Sequence, residues 1–208
     1  MRAVILFYLA LQADPTQQIV ESLYPKNERL RKTRVGDLVT HLGIREGSRV
    51  ADVGCGQGQF SVILSRVVGP SGHVWCEDIE KSPGREVKRH HAKNVTVVRG
   101  LADDPKLPVG SLDAVLMVIA YHEMPQYQAM MRHVREALKP GGRLVILDIK
   151  PNRTGARPRE KQAGNHVLSP DLAAREIAAA GFRIVTRDDA FVDDPDSEQV
   201  NWLIVAAP

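Results

Sequence analysis

The chain has 208 residues, enough for one α/β domain with a full core. With 43% hydrophobic and 25% charged residues it is not a disordered chain. A net charge of +3 is too small to indicate a nucleic-acid partner unless it is focused on one face.

Arg2 precedes an apolar run at 3–11, and Ala13 follows. Residues 1–13 resemble a short secretory signal peptide, although Leu11 is large for the third position before a cleavage site. The other reading is an apolar segment packed on the domain. The run is too short to cross a bilayer as a helix, so no transmembrane helix is expected. Residues 14–208 then read as a single domain. Residues 14–43 are expected to be helical and to form an N-terminal lid, starting at Asp14-Pro15. Tyr24 and the charges from Arg29 to Arg34 read either as part of that lid or as a solvated basic helix face.

A first strand is expected at 50–53, a glycine turn at 54–58 and a helix over Gln59–Val68. A second strand follows at 73–79, a polar helix at 80–91 and a third strand at 95–98. Residues 103–111 read as loop and 113–120 as a fourth strand, apolar on both faces. A helix at 126–139 ends at Pro140-Gly141-Gly142, before a fifth strand at 143–149. The basic stretch 150–165 reads as a loop and 171–180 as a helix stopped by Gly181. Strands at 182–186 and 201–206 close the chain, joined by a loop with Asp193, Asp194 and Asp196. Alternating strands and helices predict a Rossmann-like, doubly wound, seven-stranded sheet, mostly parallel, with helices on both faces. Cys55 and Cys76 have no metal or redox spacing and read as buried small thiols.

The segment Val50-Ala51-Asp52-Val53-Gly54-Cys55-Gly56-Gln57-Gly58 carries the chemistry. In such a sheet a ligand sits outside the carboxyl ends of the strands, beside strand one. Glycines there let it lie against bare backbone. Asp78 ends strand two, 20 residues after Gly58, where an acid can accept from both ribose hydroxyls of an adenosine. The glycine spacing is G-x-G-x-G rather than the dinucleotide G-x-G-x-x-G. A carboxylate at Asp52 repels a pyrophosphate and suits an ammonium or sulfonium ligand. S-adenosyl-L-methionine has an adenosine, an amino group and a cationic sulfur, and is the expected cofactor.

Residues 52–58 resemble the first motif of the class I S-adenosylmethionine-dependent methyltransferases. Residues 75–79, 100–113 and the Leu138-Lys139-Pro140-Gly141-Gly142 turn are similar to later segments of that family in the same order. His166, Ser169-Pro170 and Ala180-Gly181-Phe182 are similar to its ubiquinone/menaquinone-type members. The resemblance covers roughly residues 30–206 and implies the class I methyltransferase fold. It further implies that the Gly54, Cys55, Gly56 and Gly58 backbone cradles the methionine portion and that Asp52 holds its amino group. Asp78 takes the ribose and Ile79 packs on the adenine. The resemblance also implies that Leu101 and Ala102 line the adenine pocket and that Asp103 accepts from its exocyclic amine. Many relatives have an acid at the position of Leu101, so Asp103 and Asp104 also read as turn acids.

Methyl transfer requires alignment and can require a base. His122 after strand four is placed to take a proton, and Glu123 to orient it or to meet a cationic acceptor. The other reading is a polar strand end capping the next helix. His122-Glu123 does not begin an H-E-x-x-H motif, because Gln126 stands where the second histidine belongs, and no metal is expected. Asp148, Lys150 and His166 either reach the acceptor or are solvated polar termini. Arg153, Arg157, Arg159 and Lys161 either clamp an anionic acceptor or form a solvated loop. The expected function is methyl transfer to a small-molecule acceptor. A protein or RNA methyltransferase, or a binding module without catalysis, are the alternatives. The cofactor favours a cytoplasmic location, and residues 1–13 leave export open.

Overall fold

The computed structural model describes residues 14–152, 157–193 and 199–208. The apolar run within 1–13, Arg153, Asp194 and Asp196 lie outside the described residues.

Seven strands form one sheet in the order β3-β2-β1-β4-β5-β7-β6. They are β1 (Arg49–Val53), β2 (His73–Asp78), β3 (Val95–Arg99), β4 (Leu112–Val118), β5 (Leu138–Ile149), β6 (Arg183–Asp193) and β7 (Val200–Ala207). Neighbours from β3 to β5 pair in parallel, and β7 runs antiparallel to both β5 and β6. The order reverses between β1 and β4, which opens a crevice at their carboxyl ends.

Alternation along β1 explains the two cores. Val50 packs with Leu64 and Val68 of α4 (Gln59–Val68) and with Leu38 and Leu42 of α3 (Val35–Leu42). Ala51 and Val53 face the opposite layer, with Met131 and Val134 of α6 (Tyr127–Ala137) and Ile177 of α8 (Pro170–Ala179). Each of the valine, leucine, isoleucine and methionine side chains gains roughly 1.5–3 kcal/mol on leaving water.

Several boundaries differ from those expected. The 14–43 segment is three helices, α1 (Pro15–Leu23), α2 (Glu28–Lys32) and α3, rather than one continuous stretch. Pro25 and the Asn27 cap, which accepts from the Leu30 amide at 3.0 Å, break it once. Arg34, at φ 55, breaks it again. Of residues 80–91 only α5 (Arg85–Arg89) is helical, because Pro83-Gly84 delays its start. β5 begins at Leu138, and the Pro140–Gly142 turn forms an irregularity in its pairing with β4. The basic 150–165 stretch contains a short helix, α7 (Arg159–Ala163). β6 runs on to Asp193 through register shifts against β7. No described helix is long and apolar enough to cross a membrane.

Candidate active site

β1 ends at Val53, and the chain turns through Gly54 (φ 74), Gly56 (φ 50) and Gly58 (φ 86) into α4. A side chain at Gly54 would be doubly excluded, by its left-handed backbone and by Ala120, whose methyl occupies the space of a Cβ. That contact brings the segment after β4 directly against the glycine turn. A cavity of about 240 Å³ opens here. Asp52, Gly54 and Gly56 line one side, Asn27, Leu30 and Thr33 the N-terminal side, and Val118 and Ile119 the end of β4.

Asp52 is 2% exposed and accepts from the Ser61 hydroxyl at 2.6 Å. Burial pushes its carboxyl up to about 7, against the lowering effect of the Ser61 hydroxyl and amide. Asp78 accepts from the Gly56 amide at 2.8 Å and the Glu80 amide at 3.0 Å, so the second-strand acid and the glycine turn are joined. Glu77 points away into the interior, where a Cβ at Gly100 would collide with its Oε1. Burial and the nearby Asp78 push its carboxyl up to about 8.

Cys55 and Cys76 are not free thiols as expected; they form a disulfide between the glycine turn and β2. Residues separated by 21 positions gave no recognisable spacing, and only the parallel pairing of β1 with β2 brings them together.

Ile79 and Leu101 are exposed apolar side chains at the carboxyl ends of β2 and β3. The Gly100 amide donates to the Asp78 carbonyl at 3.1 Å, which ties the two ends together. Ala102 and Asp103 are partly exposed beside them. Asp104 is a turn acid. It pairs with Lys106 at 2.6 Å, and the Lys106 hydrogen bonds hold its carboxyl below the usual range.

After β4, Tyr121–Glu123 forms a single 3-10 turn. It buries His122, 1% exposed, whose Nδ1 lies 2.7 Å from Oδ1 of Asp148. Asp148, on β5, is fully buried; it also accepts from the His122 amide at 2.9 Å and the Ile149 amide at 2.7 Å. It is therefore not a solvated strand-end charge. A carboxylate only accepts, so Nδ1 carries the hydrogen of this bond and Nε2 is the ring nitrogen left for a further partner. Glu123 and His166 are exposed and pair with each other at 3.2 Å.

Arg159 is neither an anion clamp nor a solvated loop cation. Its guanidinium pairs with Glu176 at 3.1 Å and donates to the Tyr121 carbonyl at 3.0 Å and the His122 carbonyl at 3.5 Å. It also lies 4.3 Å over the Tyr127 ring. Tyr121 donates to the same Glu176 at 3.0 Å. Burial raises the Glu176 carboxyl, while Arg159 and the Tyr121 hydrogen bond oppose that shift. Glu176 gave no sequence signal beyond its place on an amphipathic helix.

The strand order and the crevice beside the glycine turn define a class I methyltransferase fold. Residues 50–142 match a family model described as a methyltransferase domain. The demethylmenaquinone methyltransferase of Listeria welshimeri is 32% identical over 117 residues, covering 54% of this chain and 50% of that protein. The ubiquinone/menaquinone biosynthesis C-methyltransferase UbiE of Pseudomonas putida is 30% identical over 172 residues, covering 79% of this chain and 66% of that protein. The chain thus spans about half the length of the Listeria relative. A crystal structure of an S-adenosylmethionine-dependent methyltransferase from Aquifex aeolicus shares the fold, with a TM-score of 0.72 and 23% identity over 92% of this chain and 97% of that one. The chain belongs to the class I S-adenosylmethionine-dependent methyltransferase family.

Proposed function

We propose that the protein transfers a methyl group from S-adenosylmethionine to a small-molecule acceptor. The observation that carries this reading is the contact between Gly54 and Ala120, two residues before His122. It supports the reading because it holds the segment that carries His122 against the glycine turn that follows Asp52.

The residues fit the cofactor. Gly56 has open space where a side chain would stand, and Asp52 lines the cavity. Asp52 would hold the amino group, Asp78 the ribose, and Ile79, Leu101, Ala102 and Asp103 the adenine. The Cys55–Cys76 bridge and the Gly58 turn fix the backbone of that cradle. When bound, S-adenosylmethionine supplies a sulfonium methyl group for in-line displacement. His122, oriented by Asp148, takes the acceptor's proton at Nε2, and Arg159 holds the turn that carries it. Residues 14–43 roof the methionine end.

The names of the relatives, demethylmenaquinone methyltransferase and ubiquinone/menaquinone biosynthesis C-methyltransferase, favour a quinone-type small-molecule acceptor. Calorimetry with S-adenosylhomocysteine tests the cofactor site. Absence of binding, or unchanged binding in Asp78→Ala, would sink the reading. Methyl-labelled cofactor incubated with fractionated extract tests the acceptor, with label expected in the small-molecule fraction. Label confined to protein or RNA would reject that acceptor class.

A further inference from the structure

His122 Nε2 is buried and makes no hydrogen bond. An unpartnered ring nitrogen at this depth is an unfavourable arrangement unless something meets it. Two further donor atoms converge on it. Glu123 Oε1 lies 3.6 Å from Nε2, and His166 Nδ1 lies 3.2 Å from the same oxygen. All three atoms lie within 4.8 Å of one another. We propose that His122, Glu123 and His166 form a binding site for a divalent transition-metal ion, zinc above all, with an open coordination position.

Two imidazoles and one carboxylate match the ligand set of zinc sites that keep a position for water or substrate. Bonds of about 2.0–2.1 Å in a tetrahedron put ligand atoms roughly 3.3 Å apart. Two of the separations here already stand near that value. The third closes by rotation of Glu123 and His166, whose side chains are 60% and 75% exposed. Asp148 supplies the outer partner that metal-bound histidines commonly have, a carboxylate on the other ring nitrogen.

His166 is placed by a rigid frame. It sits at φ 55, a left-handed backbone that few non-glycine residues adopt. Two residues on, the Leu168 amide donates to the Ile149 carbonyl at 2.9 Å, and Trp202 donates to the Leu168 carbonyl at 2.7 Å. The spacing rule for an H-E-x-x-H helix misses this set because the second histidine arrives 43 residues after Glu123, on a different element.

The metal site itself does not depend on the methyltransferase reading; its use does. On that reading the open position takes an ionisable hydroxyl of the acceptor. The cation lowers the hydroxyl's pKa, its proton leaves to solvent, and its oxygen stays on the metal. In the metal-free protein Nε2 of His122 is the proton acceptor; with the ion bound the same atom is a ligand and solvent takes the proton.

The test is titration of untagged, chelator-stripped full-length protein with Zn²⁺ and Co²⁺, by calorimetry and visible absorption. A single ion per chain is expected, with a cobalt spectrum of low coordination number. Glu123→Gln and His166→Asn, the latter tolerant of the left-handed backbone, should each weaken binding by about tenfold or more. Their affinity for S-adenosylhomocysteine should be unchanged. Absence of metal binding, or binding unaltered in the double variant, overturns the proposal. Intact metal binding together with no S-adenosylhomocysteine binding would retain the metal site and reject the methyltransferase reading.

Discussion

The Ser61 hydroxyl donates to Asp52 at 2.6 Å, from the first turn of α4 back to the strand before the glycine turn. Among the described residues no cation is paired with Asp52, and burial holds its carboxyl up at about 7. An ammonium group arriving in the cavity favours the charged form, so binding must release a proton. S-adenosylhomocysteine affinity should therefore rise between pH 6 and pH 8. Calorimetry in buffers of different ionisation enthalpy should report the released proton. Asp52→Asn should bind more weakly and lose the pH dependence; an undiminished dependence would assign it to another group.

Asp52 and Glu77 also set a stability trend. Their folded values, about 7 and about 8, lie above the ordinary 3.8 and 4.5. Between those limits the folded chain holds protons that the unfolded chain has released. Their contribution is thus fully present near pH 4 and is lost as pH rises toward 8. Urea midpoints across this range should fall, and Glu77→Gln should flatten the upper part of the curve. A midpoint that rises from pH 6 to pH 8 would contradict this.

His122 and Asp148 should separate chemistry from binding. With activity measured on an identified acceptor, His122→Ala is expected to lower turnover by roughly 10²–10⁴-fold, with little change in cofactor affinity. Asp148→Asn should also lower turnover, because it can place the ring proton on the wrong nitrogen. Equal loss of turnover and cofactor binding in both variants would mark the pair as structural.

Arg159→Ala leaves Glu176 buried without its cation and frees two carbonyls of the turn that carries His122. Breaking a buried pair in this way costs about 3–5 kcal/mol, readable by denaturant unfolding. Arg159→Lys should restore little, since an ammonium cannot reproduce the planar fork that reaches Glu176 and both carbonyls. Full rescue by lysine would reduce the interaction to charge alone.

The individual strands and the glycine turn were legible because they are local. Glycines at alternate positions, Asp52 before them and Asp78 at the end of β2 all lie within single strand-and-turn units. The surroundings of His122 were legible only in part. His122 stood out, but Asp148 was indistinguishable from a solvated strand end until β4 and β5 paired. Arg159 looked like one of several loop cations, and its burial depends on Glu176 from a later helix. The Cys55–Cys76 pairing was hidden for the same reason, since it depends on β2 lying beside β1. Relations across the sheet leave no periodic trace in the chain.

The disulfide gives a direct check on that pairing. Thiol reagents should label Cys55 and Cys76 only after reduction, and labelling of the native, unreduced protein would refute the bridge. It also changes what a protease can do. The segment between the two cysteines contains all of α4. A single cut there leaves one covalently joined molecule under oxidising conditions and two fragments once reduced. The same nick is thus silent on a non-reducing gel and visible on a reducing one.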